Sequence, residues 1–202
     1  MDSALNPNPV DVPRLLRAYG LTPRKGLGQN FLVDGSALRK LIEAAEIPPN
    51  AEVLEIGAGV GSLTVWLAAA AQRVVAVEVD TNLIPLLRET LAGLANVTLV
   101  EGDILAIRLA DWMREEGYLV VANIPYYITS AILRHLLENR PRPARMVLTM
   151  QREVAERICA PPGEMSLLAL SVQVYGQPRP VLRIPAGAFY PPPQVDSVSL
   201  RV

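Results

Sequence analysis

The amino-acid sequence predicts an α/β fold with a mostly parallel sheet. Short apolar segments typical of buried strands alternate with helical segments, as at residues 52–56, 62–71 and 73–79. A glycine-rich turn joins the first of these strands directly to its helix. Acidic or polar residues follow one predicted strand after another. This pattern places them at one edge of a parallel sheet, where α/β proteins bind ligands.

Composition and length set further bounds. The chain has 202 residues, enough for one large domain, and 50% of them are hydrophobic. No apolar run approaches the roughly 20 residues of a membrane span, and residues 1–9 lack the features of a secretory signal. A cytoplasmic protein without membrane association is therefore expected. With one cysteine, Cys159, and one histidine, His135, an internal disulfide is excluded and no metal site is predicted.

The positive charges are unevenly distributed. The formal net charge of −1 argues, taken alone, against a nucleic-acid-binding protein. Two clusters of cations nevertheless stand out, although a solvated helix surface is the simpler explanation for them. The clusters comprise Arg14, Arg17, Arg24 and Lys25, and then Arg134, Arg140, Arg142, Arg145, Arg152 and Arg157.

Residues 1–33 are predicted to form an N-terminal extension to the main fold. Two glycines, adjacent amides and a basic pair predict a loop over residues 24–34, able to bring Asn30 over a neighbouring site. The other elements predicted here are a disordered lead over residues 1–9, a helix over 12–19, and a helix over 36–45 capped by Asp34.

The turn after the first long strand carries Gly57, Gly59 and Gly61. A strand, such a turn and a helix together predict a nucleotide-type loop, because glycines let the backbone approach a ligand at the helix N-terminus. A dinucleotide fingerprint requires its third glycine at the position of Ser62, so a nicotinamide or flavin cofactor is disfavoured. Glu55, just before the turn, favours a cofactor that bears a cationic amine.

The next two predicted strands, over residues 73–79 and 97–100, also end beside acidic residues. Glu78, about 20 residues beyond the glycines, is placed to accept hydrogen bonds from ribose hydroxyls, whereas Asp80 is interpreted as the cap of a helix over 82–91. Asp103, followed by Ile104, is a candidate acceptor for the exocyclic amine of a cofactor base. A turn aspartate is the competing interpretation.

A fourth strand, over residues 118–122, leads into Asn123, Ile124, Pro125 and Tyr126. Proline lacks an N–H group and biases the preceding residue toward extended backbone, so the Ile124 carbonyl can be left unpaired. That carbonyl, the Asn123 side-chain oxygen and the flat Tyr126 ring together suit a planar group with an amine, such as adenine. A strand-to-helix turn whose asparagine caps the helix is the alternative.

The last part of the chain contains three consecutive prolines. Prolines do not join a sheet interior, so residues 189–197 are predicted to be a rigid connector that holds Phe189 in place; a hairpin loop with Phe189 in the core is the alternative. The remaining predicted elements are helices over 129–138, 151–159 and 166–175 and strands over 145–150, 180–184 and 197–202.

Taken in series, these motifs resemble the S-adenosylmethionine-dependent ribosomal RNA adenine N6,N6-dimethyltransferases, the family of the small-subunit KsgA and large-subunit Erm enzymes. The segments after residues 25 and 150 are more similar to KsgA, which is preferred, whereas Asn-Ile-Pro-Tyr is frequent in Erm. The motifs are Gly-Gln-Asn-Phe-Leu at 28–32, Glu-Ile-Gly-Ala-Gly-Val-Gly at 55–61, Glu78, Gly-Asp at 102–103, Asn-Ile-Pro-Tyr at 123–126 and Phe-x-Pro-x-Pro-x-Val-x-Ser at 189–197.

The resemblance implies a class I methyltransferase (Rossmann-like) fold, a seven-stranded, mostly parallel sheet with a reversed terminal hairpin. It implies a catalytic domain over residues 1–202, and the helical RNA-binding domain of the family is expected to be absent after Val202. The implied cofactor is S-adenosylmethionine. By this resemblance the cofactor pocket is lined by Asn30, Leu32, Gly57, Gly59, Gly61, Glu78, Asp103, Ile104 and Asn123.

The implied reaction is dimethylation of the N6 amine of adenines in ribosomal RNA, most specifically two adjacent adenines of the small-subunit 16S rRNA. Asn123, Ile124, Pro125 and Tyr126 are the predicted catalytic residues, and Tyr126 and Phe189 are expected to stack on the substrate base. The expected partner is a small ribosomal subunit or its precursor, bound by a monomer. An Erm-type enzyme and a non-catalytic ribosome-assembly factor are the alternatives.

Overall fold

The computed structural model describes residue 7 and residues 10–202. The disordered lead predicted over residues 1–9 therefore lies outside the described residues, apart from Pro7. Within the described part of the chain, no helix combines the length and hydrophobicity that a membrane crossing needs.

The elements follow the predicted alternation of strands and helices. The strands are β1 (Phe31–Leu32), β2 (Glu52–Ile56), β3 (Arg73–Glu78), β4 (Val97–Glu101), β5 (Leu119–Asn123), β6 (Arg145–Gln151), β7 (Arg179–Ile184), β8 (Phe189–Tyr190) and β9 (Ser197–Arg201). The helices are α1 (Val12–Ala18), α2 (Gly35–Ala45), α3 (Thr64–Ala70), α4 (Ile84–Thr90), α5 (Thr129–Glu138), α6 (Arg152–Ile158) and α7 (Leu167–Gln173).

The main sheet confirms the predicted fold class. Its seven strands run in the order β4-β3-β2-β5-β6-β9-β7, and β9 lies antiparallel between β6 and β7. The five strands from β4 to β6 are parallel. Because the chain moves outward from β2 to β4 and then returns to β5 on the other side, β2 and β5 form a topological switch point. Crevices at such points bind ligands in open α/β sheets.

Helices cover the sheet on both faces, which explains why the parallel strands are mostly apolar. Successive strand residues point to opposite faces. One set packs with α2 and α3, and the other packs with α5. The first set includes Val53, Val74, Val121 and Val147, and the second includes Leu54, Val75, Val120 and Leu148.

Two helix starts form as the sequence predicts. The Asp34 side chain caps α2 by accepting a hydrogen bond from the Ala37 N–H at 2.7 Å. The apolar positions of α5 recur at helical spacing, and Ile132, Leu133 and Leu136 are all 0% exposed against the sheet. α5 therefore begins at Thr129, close behind the Asn-Ile-Pro-Tyr segment, and fixes where that segment ends.

The predicted loop over residues 24–34 is wrong in one respect, because it contains β1. Phe31 and Leu32 pair antiparallel with Tyr190 and Phe189 of β8 in a separate two-stranded sheet. Two residues are too few to show strand periodicity, and their partner lies at the far end of the chain. This pairing ties the N-terminal extension to the proline-rich connector beside the main sheet.

Candidate active site

The candidate active site lies at the carboxyl ends of β2, β3, β4 and β5. Three adjoining pockets open there, and each is partly formed by the Gly57 turn. The first pocket contains Asn30, Gly59, Glu78 and Asn123 to Tyr126; the second contains Asp103, Ile104, Pro125 and Tyr127; the third contains Leu32, Glu55, Ser62 and Asn123. The topology thus collects predicted site residues from segments far apart in the chain.

The side chain of Asn123 is held in a defined orientation. Its Nδ2 donates a hydrogen bond to the backbone carbonyl of Asn30 at 2.8 Å. No hydrogen bond from a described residue reaches its Oδ1. One N–H of the amide is therefore bound to the protein, and its acceptor is left without a donor among the described residues, on a side chain that lines the first pocket.

The Ile124 carbonyl is the second acceptor. The N–H of Ile124 donates to the Thr149 carbonyl at 3.2 Å, and the residue as a whole, backbone included, is 1% exposed. No described residue donates to the Ile124 carbonyl. Pro125, with φ −59° and ψ 127°, turns the chain directly after it. Two carbonyl-type oxygens without donors among the described residues thus belong to adjacent residues at the end of β5.

The Tyr126 ring is half-buried beside these acceptors. Its hydroxyl shares a 2.6 Å hydrogen bond with Oγ of Ser197, which is 0% exposed at the start of β9. Burial raises the pKa of the Tyr126 phenol, although the bond to Ser197 opposes this shift. The phenol therefore stays neutral near neutral pH, and β9 fixes one edge of the ring.

The Gly59 backbone and Glu78 form a rigid corner of the first pocket. Gly59 has φ +61°, and a β-carbon there would lie 2.9 Å from the Phe31 ring, so glycine is required twice over. Glu78 is 5% exposed, and its two carboxylate oxygens accept hydrogen bonds from the Gly59 N–H at 2.7 Å and the Asp80 N–H at 2.8 Å. Burial raises the pKa of Glu78 despite these backbone hydrogen bonds.

Asp103 and Ile104 lie at the end of β4 in the second pocket. The Asp103 side chain is exposed, and its Oδ1 accepts from the Leu105 N–H at 2.9 Å. The turn interpretation is therefore correct for one oxygen, while the other has no donor among the described residues. Ile104 is buried and supplies an apolar wall.

Glu55 lies at the floor of the third pocket. It is 1% exposed, and its Oε2 has no hydrogen-bond partner among the described residues. Burial raises the pKa of this carboxyl to about 8, and the nearby Glu78 carboxylate adds to the rise. Glu55 is consequently protonated at neutral pH unless a cation comes close to it.

Two predicted site residues line none of the three pockets in this structure, and their roles in the site stay predictions. Gly61 lines none of the three pockets, and a β-carbon there would lie 2.9 Å from Cγ2 of Thr90, so this glycine serves the contact with α4. Phe189 is 3% exposed and packs in the core with Leu32, as the alternative interpretation had it. It offers no open ring face in this conformation, because its pairing with Leu32 holds β8 against β1.

Sequence reasoning missed several residues that shape the site. Gln29 contacts the first pocket and Tyr127, 59% exposed, contacts the second. Gln29 lies inside the motif at 28–32 and Tyr127 directly follows the motif at 123–126, which is the only local signal for them. The predicted helix-cap role of Asp80 is wrong, because α4 begins at Ile84 with Leu83 as its N-cap residue and has no side-chain cap. Asp80 instead accepts hydrogen bonds from the Asn82 N–H at 3.2 Å and from the side chains of Gln29 and Arg24.

The fold and the site together define the class. A parallel α/β sheet with an antiparallel last strand, a glycine-rich turn after its first long strand and an acidic residue after the next is the class I methyltransferase arrangement. Two solved structures share it at a TM-score of 0.75: a dimethyladenosine transferase from Plasmodium falciparum, 32% identical over 85% of this chain and 62% of that one, and the 23S rRNA methyltransferase ErmE, 34% identical over 85% of this chain and 68% of that one.

The family follows from the sequence comparisons. The model of the ribosomal RNA adenine dimethylase family matches residues 20–202. A protein of Dehalococcoides mccartyi strain CBDB1 named ribosomal RNA small subunit methyltransferase A is 45% identical over 189 residues, which are 93% of this chain and 65% of that protein. The chain thus spans about two thirds of the length of this relative. It belongs to the ribosomal RNA adenine dimethylase family.

Proposed function

We propose that this protein transfers methyl groups from S-adenosylmethionine to the N6 amine of adenines in ribosomal RNA, and that its targets are two adjacent adenines of small-subunit 16S rRNA. The observation that carries this proposal is a pair of acceptors to which no described residue donates, Asn123 Oδ1 and the Ile124 carbonyl, beside a cofactor-type pocket. Family membership supports the reaction. The higher identity to a small-subunit enzyme, 45% against 34% to ErmE, supports the subunit.

The residues present fit such a cofactor. Oε2 of Glu55 and Oγ of Ser62 are buried without a hydrogen-bond partner among the described residues, so the third pocket has unused polar capacity. Glu55 would hold the cationic amine, Glu78 the ribose hydroxyls, and Asp103 with Ile104 the base. S-adenosylmethionine, when bound, supplies an electrophilic methyl group on a positively charged sulfur.

The chain's own residues address the substrate amine. The N6 lone pair of adenine is delocalised into the ring, so the amine is a poor nucleophile. Acceptors at Asn123 and Ile124 would bind its two hydrogens, favour a more pyramidal nitrogen and orient the lone pair toward the methyl group. Catalysis then comes from positioning and electrostatics, and no general base is required, because the methylated nitrogen can lose its proton to water.

The target base must leave its stack to reach these acceptors. Stacking on Tyr126, whose edge Ser197 holds, would offset part of an unstacking cost of a few kcal/mol. A second stacking face from Phe189 would require β8 to move away from β1, because the ring is buried in this conformation. That role for Phe189 remains a prediction.

We further propose that the substrate is a small ribosomal subunit or its precursor. The protein binds it as a monomer in the cytoplasm. Mass spectrometry of rRNA from both subunits, after incubation with the protein and isotopically labelled cofactor, tests the function directly. The expected product is N6,N6-dimethyladenosine at two adjacent positions of 16S rRNA. Label in 23S rRNA would favour the Erm alternative, and cofactor binding without label would favour a non-catalytic assembly factor.

A further inference from the structure

The segment over residues 24–30 is held by the Asp80 carboxylate at one side of the first pocket. Asp80 follows β3, and its side chain is 2% exposed. Its Oδ1 accepts from Nη1 of Arg24 at 3.1 Å, and its Oδ2 accepts from Nε2 of Gln29 at 2.7 Å. The backbone N–H of Arg24 donates to Oε1 of Gln29 at 2.7 Å, so each of the three residues is hydrogen-bonded to the other two. We call Arg24, Gln29 and Asp80 the clasp.

Asp80 is suited to this role as an anion. Burial works to raise the pKa of Asp80, but hydrogen bonds from Gln29, Asn82 and Arg24, together with the Arg24 charge, outweigh it and lower the pKa. The carboxylate therefore stays charged at neutral pH. Hydrogen bonds to a charged acceptor are stronger than those between neutral groups.

The same segment reaches the catalytic end of the pocket one residue after Gln29. The Asn30 carbonyl accepts from Nδ2 of Asn123 at 2.8 Å, and the Asn30 side chain donates to the Gly28 carbonyl at 3.2 Å. Gly28 lies against the turn after β5, since a β-carbon there would be 3.3 Å from Cδ1 of Tyr127. Residues 28–30 therefore bridge the ends of β3 and β5.

We propose that Asp80 is a positioning residue that acts through the clasp to set the orientation of the Asn123 amide. With the clasp closed, the Asn30 carbonyl holds Nδ2 of Asn123 and leaves Oδ1 as the acceptor for the substrate amine. With the clasp open, that carbonyl withdraws and the amide can rotate to present its NH₂ group. A donor facing the two hydrogens of N6 repels the substrate. The inference rests on the proposed function for its catalytic consequence.

The structural half is tested without ligand by amide hydrogen exchange of residues 24–31. Asp80 also accepts from the Asn82 N–H ahead of α4, so Asp80→Ala can disturb α4, whereas Gln29→Ala opens the clasp from the loop side only. We expect both variants to exchange these amides at least tenfold faster, and Asp80→Ala/Gln29→Ala to be no faster than the faster single variant. Asp80→Asn keeps an acceptor for Gln29, so its exchange rate should lie between those of the unsubstituted protein and Asp80→Ala. Unchanged exchange in Asp80→Ala and Gln29→Ala overturns the proposal.

The catalytic half is tested by kinetics with ribosomal subunits. We expect Asp80→Ala to lower kcat for N6 methylation at least tenfold, to change KM for RNA less than threefold, and to speed S-adenosylhomocysteine dissociation. A fall in thermal stability with unaltered kcat and dissociation overturns the proposal. The matched control is Glu116→Ala, which removes an ion pair with Arg140. Glu116 precedes β5, so it lies at the amino ends of the strands, away from the site.

The two proposals fail differently. If the unsubstituted protein neither binds S-adenosylhomocysteine nor methylates RNA, the proposed function fails, although the exchange result for the clasp still stands. If the unsubstituted protein methylates RNA and the clasp variants match it in exchange and in kcat, only the clasp fails.

Discussion

Asn123 has two hydrogen-bonding tasks that only a carboxamide can combine. Its Nδ2 must donate to the Asn30 carbonyl, while Oδ1 must remain an acceptor. Aspartate at this position has no donor, so its carboxylate would repel the Asn30 carbonyl. Alanine has neither group, and it would remove the predicted acceptor while leaving the glycine turn, Glu55 and Glu78 in place.

Asn123→Ala is expected to reduce methyl transfer by about 10²–10³-fold, the usual cost of losing one preorganised polar contact to the reacting group. Cofactor affinity should fall only modestly. Single-turnover methylation and calorimetric titration with S-adenosylhomocysteine measure the two effects. Asn139→Ala, which removes an exposed amide that bonds the His135 carbonyl behind α5, is the control. Near-normal transfer by Asn123→Ala would sink the proposed mechanism.

Glu55 makes stability depend on pH. Its folded-state pKa of about 8 lies above the unfolded value of 4.5, so the folded protein keeps a proton that the unfolded chain releases. The contribution of Glu55 to stability is therefore full below about pH 4.5, and it is lost progressively as pH rises to about 8.

The change Glu55→Gln removes this dependence. We expect the stability of the variant relative to the unsubstituted protein to rise by roughly 3 kcal/mol between about pH 5 and pH 8, because each pKa unit is worth about 1.4 kcal/mol. Urea denaturation across that range measures the difference. Glu138→Gln, a substitution at an exposed carboxyl paired with Arg134, should show no such trend. A flat difference for Glu55→Gln would show that Glu55 is ionised in the folded protein.

At the scale of elements, turns and short strands rather than long helices build the site. The glycine turn after β2, the turn after β5 and the short pair β1–β8 all depend on close backbone contacts. Gly59 has one of the two closest contacts, because a β-carbon there would lie 2.9 Å from the ring of Phe31 in β1. The N-terminal extension can therefore reach the pocket only while that position has no side chain.

Comparing Gly59→Ala with Gly93→Ala separates the energy of the contact with Phe31 from the strain of a positive φ. Alanine at φ +61° costs about 1–2 kcal/mol in backbone strain, and displacement of the Phe31 ring adds to this cost. Gly93→Ala, at φ +88° with no atom within 4 Å of the new β-carbon, carries strain alone. We expect Gly59→Ala to be the less stable in urea and also to bind S-adenosylhomocysteine more weakly. Equal stabilities would mean that the Phe31 contact carries no energy.

At the scale of the whole molecule, the sheet is a rigid platform between two apolar layers. α2 and α3 form one layer with Trp66 and Leu67, and α5 forms the other with Leu133 and Leu136. Interiors of this kind are packed as densely as organic crystals, so they hold the strand ends at fixed separations. The packing of the core therefore fixes the distances between the site residues at those strand ends.

Leu133→Ala is expected to lower the free energy of unfolding by about 2–5 kcal/mol, because Leu133 is 0% exposed between α5 and the sheet. The control is Leu167→Ala on α7, where the leucine is 84% exposed and its loss should cost less than about 0.5 kcal/mol. Denaturation by urea compares the two. Similar losses in both variants would contradict the burial of Leu133 in the core.

The sequence by itself determined the order of elements, and most of the site residues that it predicted line the three pockets. Apolar periodicity is a local property, and parallel topology converts the ends of successive strands into one spatial edge. For this reason Glu78, Asp103 and Asn123 could be assigned to a common site from their positions after strands. Residue type and helical apolar spacing, which are also local, predicted the Asp34 cap and the start of α5 at Thr129.

Only the tertiary structure decided which neighbours each residue meets. Gly61 serves the contact with Thr90, Phe189 packs in the core, and Asp80 holds the loop through Gln29. Each of these contacts joins residues that are far apart in the sequence, where no local pattern indicates a partner. The pairing of β1 with β8 is the extreme case, since two residues carry no periodicity and their partners lie near the other end of the chain.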